Sequence, residues 1–161
     1  MRSIPRRLFI HGLDGSSQGV KATYLRQIFD DILTPDFRGS LEERMAQLST
    51  VIGRKHGWRI VGSSFGGLMA TYFACWHPRQ VDKLILLAPA LTWPDFAASL
   101  PPPIQIPVII YHGRKDTLIP LELVKPLAKQ VFHNLEFHCV EDDHSLHQTF
   151  FKVDWAVLLS D

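Results

Sequence analysis

Two kinds of apolar pattern alternate along the chain. Short, nearly continuous apolar runs predict six buried strands, at positions 7–11, 31–34, 58–61, 83–87, 107–112 and 135–140. Between them, apolar residues recur at the three- and four-residue spacing of helices, at positions 21–29, 41–52, 67–77, 121–131 and 147–159. The alternation predicts the α/β class: a single domain over residues 1–161, built as a three-layer α/β/α sandwich around a mostly or fully parallel sheet of about six strands.

The most informative motif is Gly62-Ser63-Ser64-Phe65-Gly66, which lies between a predicted strand and a predicted helix. A G-x-S-x-G sequence in that position is typical of a nucleophile elbow, a turn so tight that its serine takes a strained backbone conformation. Glycines two residues before and after the serine remove side chains that would collide there. Ser64 is therefore the candidate nucleophile, and a glycine-rich turn that serves only packing is the alternative.

Serine alone is a poor nucleophile, so an orienting acid and a base are needed elsewhere in the chain. Asp116 follows the predicted strand 107–112 and is therefore expected at the same edge of the sheet as Ser64. We take it as the candidate acid; a helix N-cap or a loop carboxylate is the alternative. Asp142 and Asp143 are rival acids, but their adjacency to the histidine at position 144 makes it hard for either to reach the far nitrogen of that ring.

His144 is the candidate base because, of the eight histidines, it lies in the loop between the last predicted strand and the last predicted helix. His147 is the second candidate, although it coincides with the start of that helix. The pair His144-x-x-His147 is a weak metal motif, since no carboxylate or cysteine cluster completes a site, and we predict no metal. Ser64, Asp116 and His144 occur in the chain order nucleophile, acid, base, each after a strand, and this order strengthens all three assignments.

A hydrolytic serine also needs donors for the oxyanion that forms during attack. The turn His11-Gly12-Leu13-Asp14-Gly15 follows the first strand, and we predict the backbone N–H groups of Leu13 and Phe65 as the two donors. The turn lacks the G-x-G-x-x-G pattern of a dinucleotide site. The irregular segment 89–106 contains Trp93 and Phe96, which are predicted to bind substrate beneath a small lid; a surface connection with a short helix is the alternative.

Charge and composition argue against several other functions. The net charge is +1 without a basic block, so no nucleic-acid partner is predicted. No apolar run approaches the length of a membrane span, and none follows the basic first residues as a secretory signal would require. Cys75 and Cys139 are too few for a disulfide framework. A cytoplasmic protein is therefore expected, with no indication of its oligomeric state.

These motifs resemble the α/β-hydrolase superfamily over nearly the whole chain. The segments Phe9-Ile10-His11-Gly12-Leu13 and Val61-Gly62-Ser63-Ser64-Phe65-Gly66-Gly67 are similar to the small, capless YqiA-like esterases, and His112-Gly113-x-x-Asp116 is widespread in the superfamily. The resemblance implies hydrolysis of carboxyl esters or thioesters through an acyl-enzyme, with no metal or organic cofactor. A compact chain without a full cap departs from the larger members, so their substrate preferences transfer poorly.

The resulting hypothesis is a serine hydrolase that acts on small-molecule esters or thioesters with short to medium acyl groups. The aromatic side chains near Trp93 favour an apolar acyl group. The alternative from another class is a hydrolase-fold module that binds a partner protein without turnover. Peptidase and acyltransferase activities are also compatible with these motifs.

Overall fold

A sheet of five parallel strands forms the centre of the computed structural model, which describes residues 4–160. The strands lie in the sheet in their chain order: β1 (Arg6–Ile10), β2 (Trp58–Ser63), β3 (Val81–Leu87), β4 (Val108–Gly113) and β5 (Leu135–Val140). Every neighbouring pair is parallel. The predicted α/β class with a fully parallel sheet is thereby confirmed.

Helices connect the strands and cover both faces of the sheet. They are α1 (Val20–Ile28), α2 (Leu41–Ile52), α3 (Phe65–Trp76), α4 (Pro94–Ala98), α5 (Leu121–Val131), α6 (Thr149–Lys152) and α7 (Trp155–Leu158). In β3, Leu84 and Leu86 pack with α2, α3 and α5, whereas Ile85 and Leu87 pack with α1, α6 and α7. Alternate residues of a strand point to opposite faces, so one continuous apolar run supplies both cores. Among the described residues, no helix is both long and apolar enough to cross a membrane.

The segment 31–34 differs from its prediction as a sixth strand. Only Leu33 forms a β-bridge, to Leu8 of β1. The amide of Leu33 donates to the carbonyl of Arg7, and its carbonyl accepts from the amide of Phe9. Pro35 follows two residues later and cannot extend the ladder, because it has no N–H group. The sheet therefore has five strands rather than about six.

The predicted helix 147–159 is also different, since the structure has two short helices there. α6 ends at Lys152 because Val153 has an extended backbone, with a ψ of 133°. Asp154 then starts α7 by accepting a hydrogen bond from the amide of Val157 with its side chain. Apolar residues keep their helical spacing across the break, which is why the pattern alone predicts a single helix.

Candidate active site

Ser64 lies between β2 and α3, at the carboxyl edge of the sheet. Its backbone has φ 54° and ψ −113°, a conformation that non-glycine residues rarely adopt. Neighbouring chain segments approach so closely that glycine is required on either side. A β-carbon on Gly62 would lie 2.6 Å from the carbonyl oxygen of Gly66, and one on Gly66 would collide with the carbonyl oxygen of Ile10. This geometry is the strained turn that a G-x-S-x-G motif predicts.

Three polar side chains form a continuous hydrogen-bonded chain at this edge. Nε2 of His144 lies 3.0 Å from Oγ of Ser64, and Nδ1 of the same ring lies 2.6 Å from Oδ2 of Asp116. The carboxylate is fully buried, whereas the His144 side chain is 22% exposed. The parallel sheet explains why these three side chains lie together, because the loops after β2, β4 and β5 all leave the same edge of the sheet. The structure thus brings together the residues predicted as nucleophile, acid and base.

The carboxylate of Asp116 is held in one orientation by the loop that carries it. Its Oδ1 accepts hydrogen bonds from the amides of Leu118, at 3.0 Å, and Ile119, at 2.7 Å. Two fixed donors on one oxygen leave the other oxygen, Oδ2, for the ring of His144. When Nδ1 donates to this carboxylate, Nε2 is the ring nitrogen that can accept a proton from Ser64. The geometry therefore selects which nitrogen can act as a base.

His112, at the end of β4, is a fully buried neighbour of this carboxylate. Its Nε2 lies 2.8 Å from the carbonyl oxygen of Ile119 and 3.3 Å from Oδ2 of Asp116. Burial lowers the pKa of His112, so the ring is neutral at physiological pH and donates from Nε2. A neutral ring leaves the charge of Asp116 available to orient His144. The motif His112-Gly113-x-x-Asp116 brings the two residues close in sequence, but it does not predict that the ring turns toward the acid.

The two rival acids have other partners. Oδ2 of Asp142 accepts hydrogen bonds from the amides of Gln148 and Thr149, and its Oδ1 accepts one from the amide of Asp143. Burial alone would raise the pKa of Asp142, but these hydrogen bonds outweigh it and lower the pKa to about 2. Asp143 bonds instead to His147, with 2.6 Å between Oδ2 and Nδ1. Asp142 therefore holds the loop after β5 onto the start of α6.

The predicted oxyanion donors lie on two segments beside Ser64. Phe65 is the first residue of α3, where amides have no partners within the helix. The turn that contains Leu13 approaches from β1, and a β-carbon on Gly12 would lie 3.5 Å from the β-carbon of Ser64. That both amides bind a substrate oxygen stays a prediction.

The two predicted substrate-binding aromatics differ in exposure. The ring of Trp93 is half-buried and packs edge-on against Phe65, with 5.2 Å between the ring centroids. Phe96, in α4, has no exposed surface and packs against Tyr72 of α3. A direct contact between Phe96 and substrate is therefore not supported, because the core already surrounds this side chain.

The segment 89–106 is anchored to the core on both sides of α4. The amide of Ala90 donates to the carbonyl of Ser64 at 2.9 Å. The amide of Ile104 donates to the carbonyl of Val131, also at 2.9 Å. The segment is thus a connection with one short helix, and its action as a lid stays a prediction.

The buried cysteine of α3 is not arranged for catalysis at neutral pH. Cys75, in α3, is buried, and burial raises the pKa of its thiol to about 12. A thiol with that pKa is protonated and unreactive at neutral pH. Within residues 4–160, no group of three or more His, Cys, Asp or Glu side chains is placed to hold a metal ion.

Residues 43–153 match the sequence model of a family described as phospholipase/carboxylesterase. The chain belongs to this family. The match extends from α2 to the break between α6 and α7, and it includes Ser64, Asp116 and His144. No curated protein sequence matches the chain.

Solved structures resemble this carboxylesterase-family chain over nearly its full length. Est1E from Butyrivibrio proteoclasticus, with ferulic acid bound, is 18% identical with a TM-score of 0.76, and the match covers 96% of this chain and 87% of that one. Alpha/beta hydrolase domain-containing protein 10 from mouse is 16% identical with a TM-score of 0.77, covering 96% and 90%. A monoacylglycerol lipase from Paleococcus ferrophilus is 15% identical with a TM-score of 0.70, covering 96% and 93%. These likenesses confirm the α/β-hydrolase fold, whereas similarity to the YqiA-like branch stays a prediction.

Proposed function

We propose that the protein is a serine hydrolase of carboxyl esters or thioesters, with Ser64 as nucleophile, His144 as base and Asp116 as acid. The observation that carries the proposal is the unbroken hydrogen-bonded chain through these three side chains, with separations of 3.0 Å and 2.6 Å. Membership of the phospholipase/carboxylesterase family supports the same chemistry. A module that only binds a partner protein would gain nothing from the strained backbone of Ser64.

Acylation begins when Oγ of Ser64 attacks the carbonyl carbon of the substrate. Nε2 of His144 takes the hydroxyl proton as the new C–O bond forms, and Asp116 stabilises the resulting imidazolium through Nδ1. The carbonyl oxygen becomes an oxyanion, which the amides of Leu13 and Phe65 are proposed to bind. When the tetrahedral intermediate collapses, the bond to the leaving oxygen or sulfur breaks, and that atom takes the proton from His144. The acyl group remains on Ser64.

Deacylation repeats these steps with water as the nucleophile. His144 accepts a proton from the attacking water, a second oxyanion forms in the same position, and the bond to Oγ of Ser64 then breaks. The proton returns from His144 to Oγ. The products are a carboxylic acid and an alcohol or thiol, and the enzyme regains its starting state.

The acyl group is proposed to be apolar and of short to medium length. Trp93, packed on Phe65 beside the nucleophile, supports an apolar wall. Leu13 is 50% exposed in the turn next to Ser64 and adds a second apolar surface. The scarcity of cysteines supports a cytoplasmic location.

Ser64→Ala is the decisive variant, and Ser63→Ala is its matched control. Ser63 is the last residue of β2, so the control removes a hydroxyl one position away. We expect wild type and Ser63→Ala to hydrolyse 4-nitrophenyl butyrate and to be labelled by a fluorophosphonate, and Ser64→Ala to do neither. Circular dichroism checks that both variants fold. Hydrolysis by folded Ser64→Ala would overturn the proposal, and an unlabelled, inactive wild type would favour the binding module.

A further inference from the structure

Arg44 is a charged residue on the buried face of α2, and it is only 6% exposed. Its Nε donates to the carbonyl of Gly39 at 3.0 Å, and its Nη2 makes a longer hydrogen bond of 3.4 Å to the carbonyl of Leu13. The guanidinium carbon lies 5.5 Å from the centre of the Phe65 ring. Nη1 is buried and has no hydrogen-bond partner among the described residues. No described carboxylate forms an ion pair with this side chain.

Burial of this charge needs an explanation. A guanidinium that is removed from water without a carboxylate partner is costly, and buried arginines are almost always paired. An apolar residue at position 44 would extend the face of α2 that contains Leu48 and Ile52, without that cost. The cost is understandable if the charge and the hydrogen bonds of Arg44 serve the neighbouring site.

Arg44 contacts both residues whose amides are the proposed oxyanion donors. It binds the carbonyl of Leu13 and lies over the ring of Phe65. The preceding carbonyl, that of Gly12, lies 2.6 Å from Nδ1 of His11. A peptide unit is planar, so a fixed Gly12 carbonyl also fixes the direction of the Leu13 N–H group, which points the opposite way. Side chains therefore hold the carbonyls on both sides of the Leu13 amide.

We propose that Arg44 is a positioning residue of the oxyanion hole. Its hydrogen bond holds the turn of Leu13, its guanidinium packs on Phe65, and its charge, which no described carboxylate neutralises, favours the negative oxygen that forms during attack. The oxygen becomes negative only as the carbonyl is attacked, so the effect falls on the transition state rather than on substrate binding. This inference rests on the proposed hydrolase function.

The test compares Arg44→Met and Arg44→Lys with Arg54→Met, which removes an exposed arginine just after α2. Lysine restores the charge but not the planar fork that reaches two carbonyls. With 4-nitrophenyl butyrate, we expect kcat of Arg44→Met to fall about 10- to 100-fold with little change in KM. Arg44→Lys should be intermediate, and Arg54→Met should match wild type. Wild-type kcat in Arg44→Met, or a loss carried mainly by KM, would overturn the proposal.

Phenylboronic acid provides a readout that does not depend on turnover. Its adduct with the hydroxyl of Ser64 is tetrahedral and has an oxygen where the oxyanion forms. We expect the affinity of Arg44→Met for phenylboronic acid to fall by about the same factor as kcat, because both depend on the oxyanion hole. Unchanged affinity beside a reduced kcat would overturn the positioning role.

A stability control distinguishes an effect of Arg44 on the oxyanion hole from a general destabilisation of α2. Ile52→Val removes one methylene from a fully buried residue on the same face and should lower the melting temperature without changing kcat.

If Arg44→Met does not fold, Arg44→Lys makes the same comparison, and wild-type kcat there would overturn the proposal. An active Ser64→Ala variant means that the hydrolase assignment has failed. An inactive Ser64→Ala variant beside a fully active Arg44→Met variant means that only the role of Arg44 has failed.

Discussion

Replacement of Asp116 by asparagine tests whether the acid determines where His144 carries its proton. The carboxylate accepts hydrogen bonds on both oxygens, whereas asparagine offers one oxygen and one NH2 group. If that oxygen keeps the amides of Leu118 and Ile119, the NH2 group faces Nδ1 of His144. Nδ1 must then accept, the proton moves to Nε2, and the ring cannot take the proton of Ser64.

The expected loss of kcat in Asp116→Asn can be estimated from the other orientation of the asparagine amide. That orientation restores the productive ring but turns the NH2 group toward the buried amide of Ile119 and the part-buried amide of Leu118. An unsatisfied buried donor costs about 1–3 kcal/mol, and a part-buried donor adds at most as much again, so the productive form lies about 1–6 kcal/mol higher in free energy. Since about 1.4 kcal/mol is a factor of ten, kcat should fall about 5-fold to 2 × 10⁴-fold. The upper limit agrees with the loss of about 10⁴-fold typical of a triad aspartate changed to asparagine.

Steady-state kinetics with 4-nitrophenyl butyrate measures this loss, and Asp143→Asn is the matched control. The control removes an equivalent charge nearby, but Asp143 bonds to the exposed ring of His147 rather than to His144. We expect Asp143→Asn to keep the wild-type kcat, and circular dichroism checks that both variants fold. Wild-type kcat in Asp116→Asn, or the large loss in Asp143→Asn instead, would refute the reasoning.

Four further variants test the loop after β5 and the acyl pocket. His144→Ala should abolish ester hydrolysis because its Nε2 is bonded to Ser64, whereas His147→Ala should retain it; equal losses would contradict the assignment of the base. Asp142→Asn should lower the melting temperature at pH 7. The folded pKa of Asp142, about 2, lies below the ordinary value of 3.8, so its stabilisation is present above pH 3.8 and is lost as the pH falls through about 2. Melting curves of Asp142→Asn and wild type should therefore converge in acid, and a constant difference would contradict this. Trp93→Ala should raise KM for 4-nitrophenyl butyrate more than for the acetate, and an unchanged ratio of the two KM values would exclude Trp93 from the pocket.

Short-range patterns predicted most of the fold because they report which faces of each element are buried. The continuous apolar run of β3 indicated a strand covered on both sides, and the structure has cores on both faces. The same kind of pattern was wrong where one local residue interrupts an element. Pro35 limits the segment at Leu33 to a single bridge, and the extended backbone of Val153 divides the last helix. Neither interruption changes the spacing of apolar residues.

The features that the sequence did not predict depend on contacts between distant segments. Arg44 is buried against a turn 31 residues earlier in the chain, and its polar side chain gave no indication of this in an amphipathic helix. His112 contacts the acid only because its ring turns inward at the end of β4. Phe96 was expected at the pocket because it is aromatic and lies in an irregular segment, but packing on α3 buries it completely.

The long sequence separation within the hydrogen-bonded chain has a consequence for protein synthesis. His144 follows Ser64 by 80 residues, and its loop comes after β5, which is the last of the five described strands to leave the ribosome. A nascent chain therefore contains Ser64 without its proposed base until synthesis has passed β5. Fluorophosphonate labelling of Ser64 should accordingly report completed tertiary folding, and chains that stop before β5 should resist the reagent even though they contain the entire G-x-S-x-G motif.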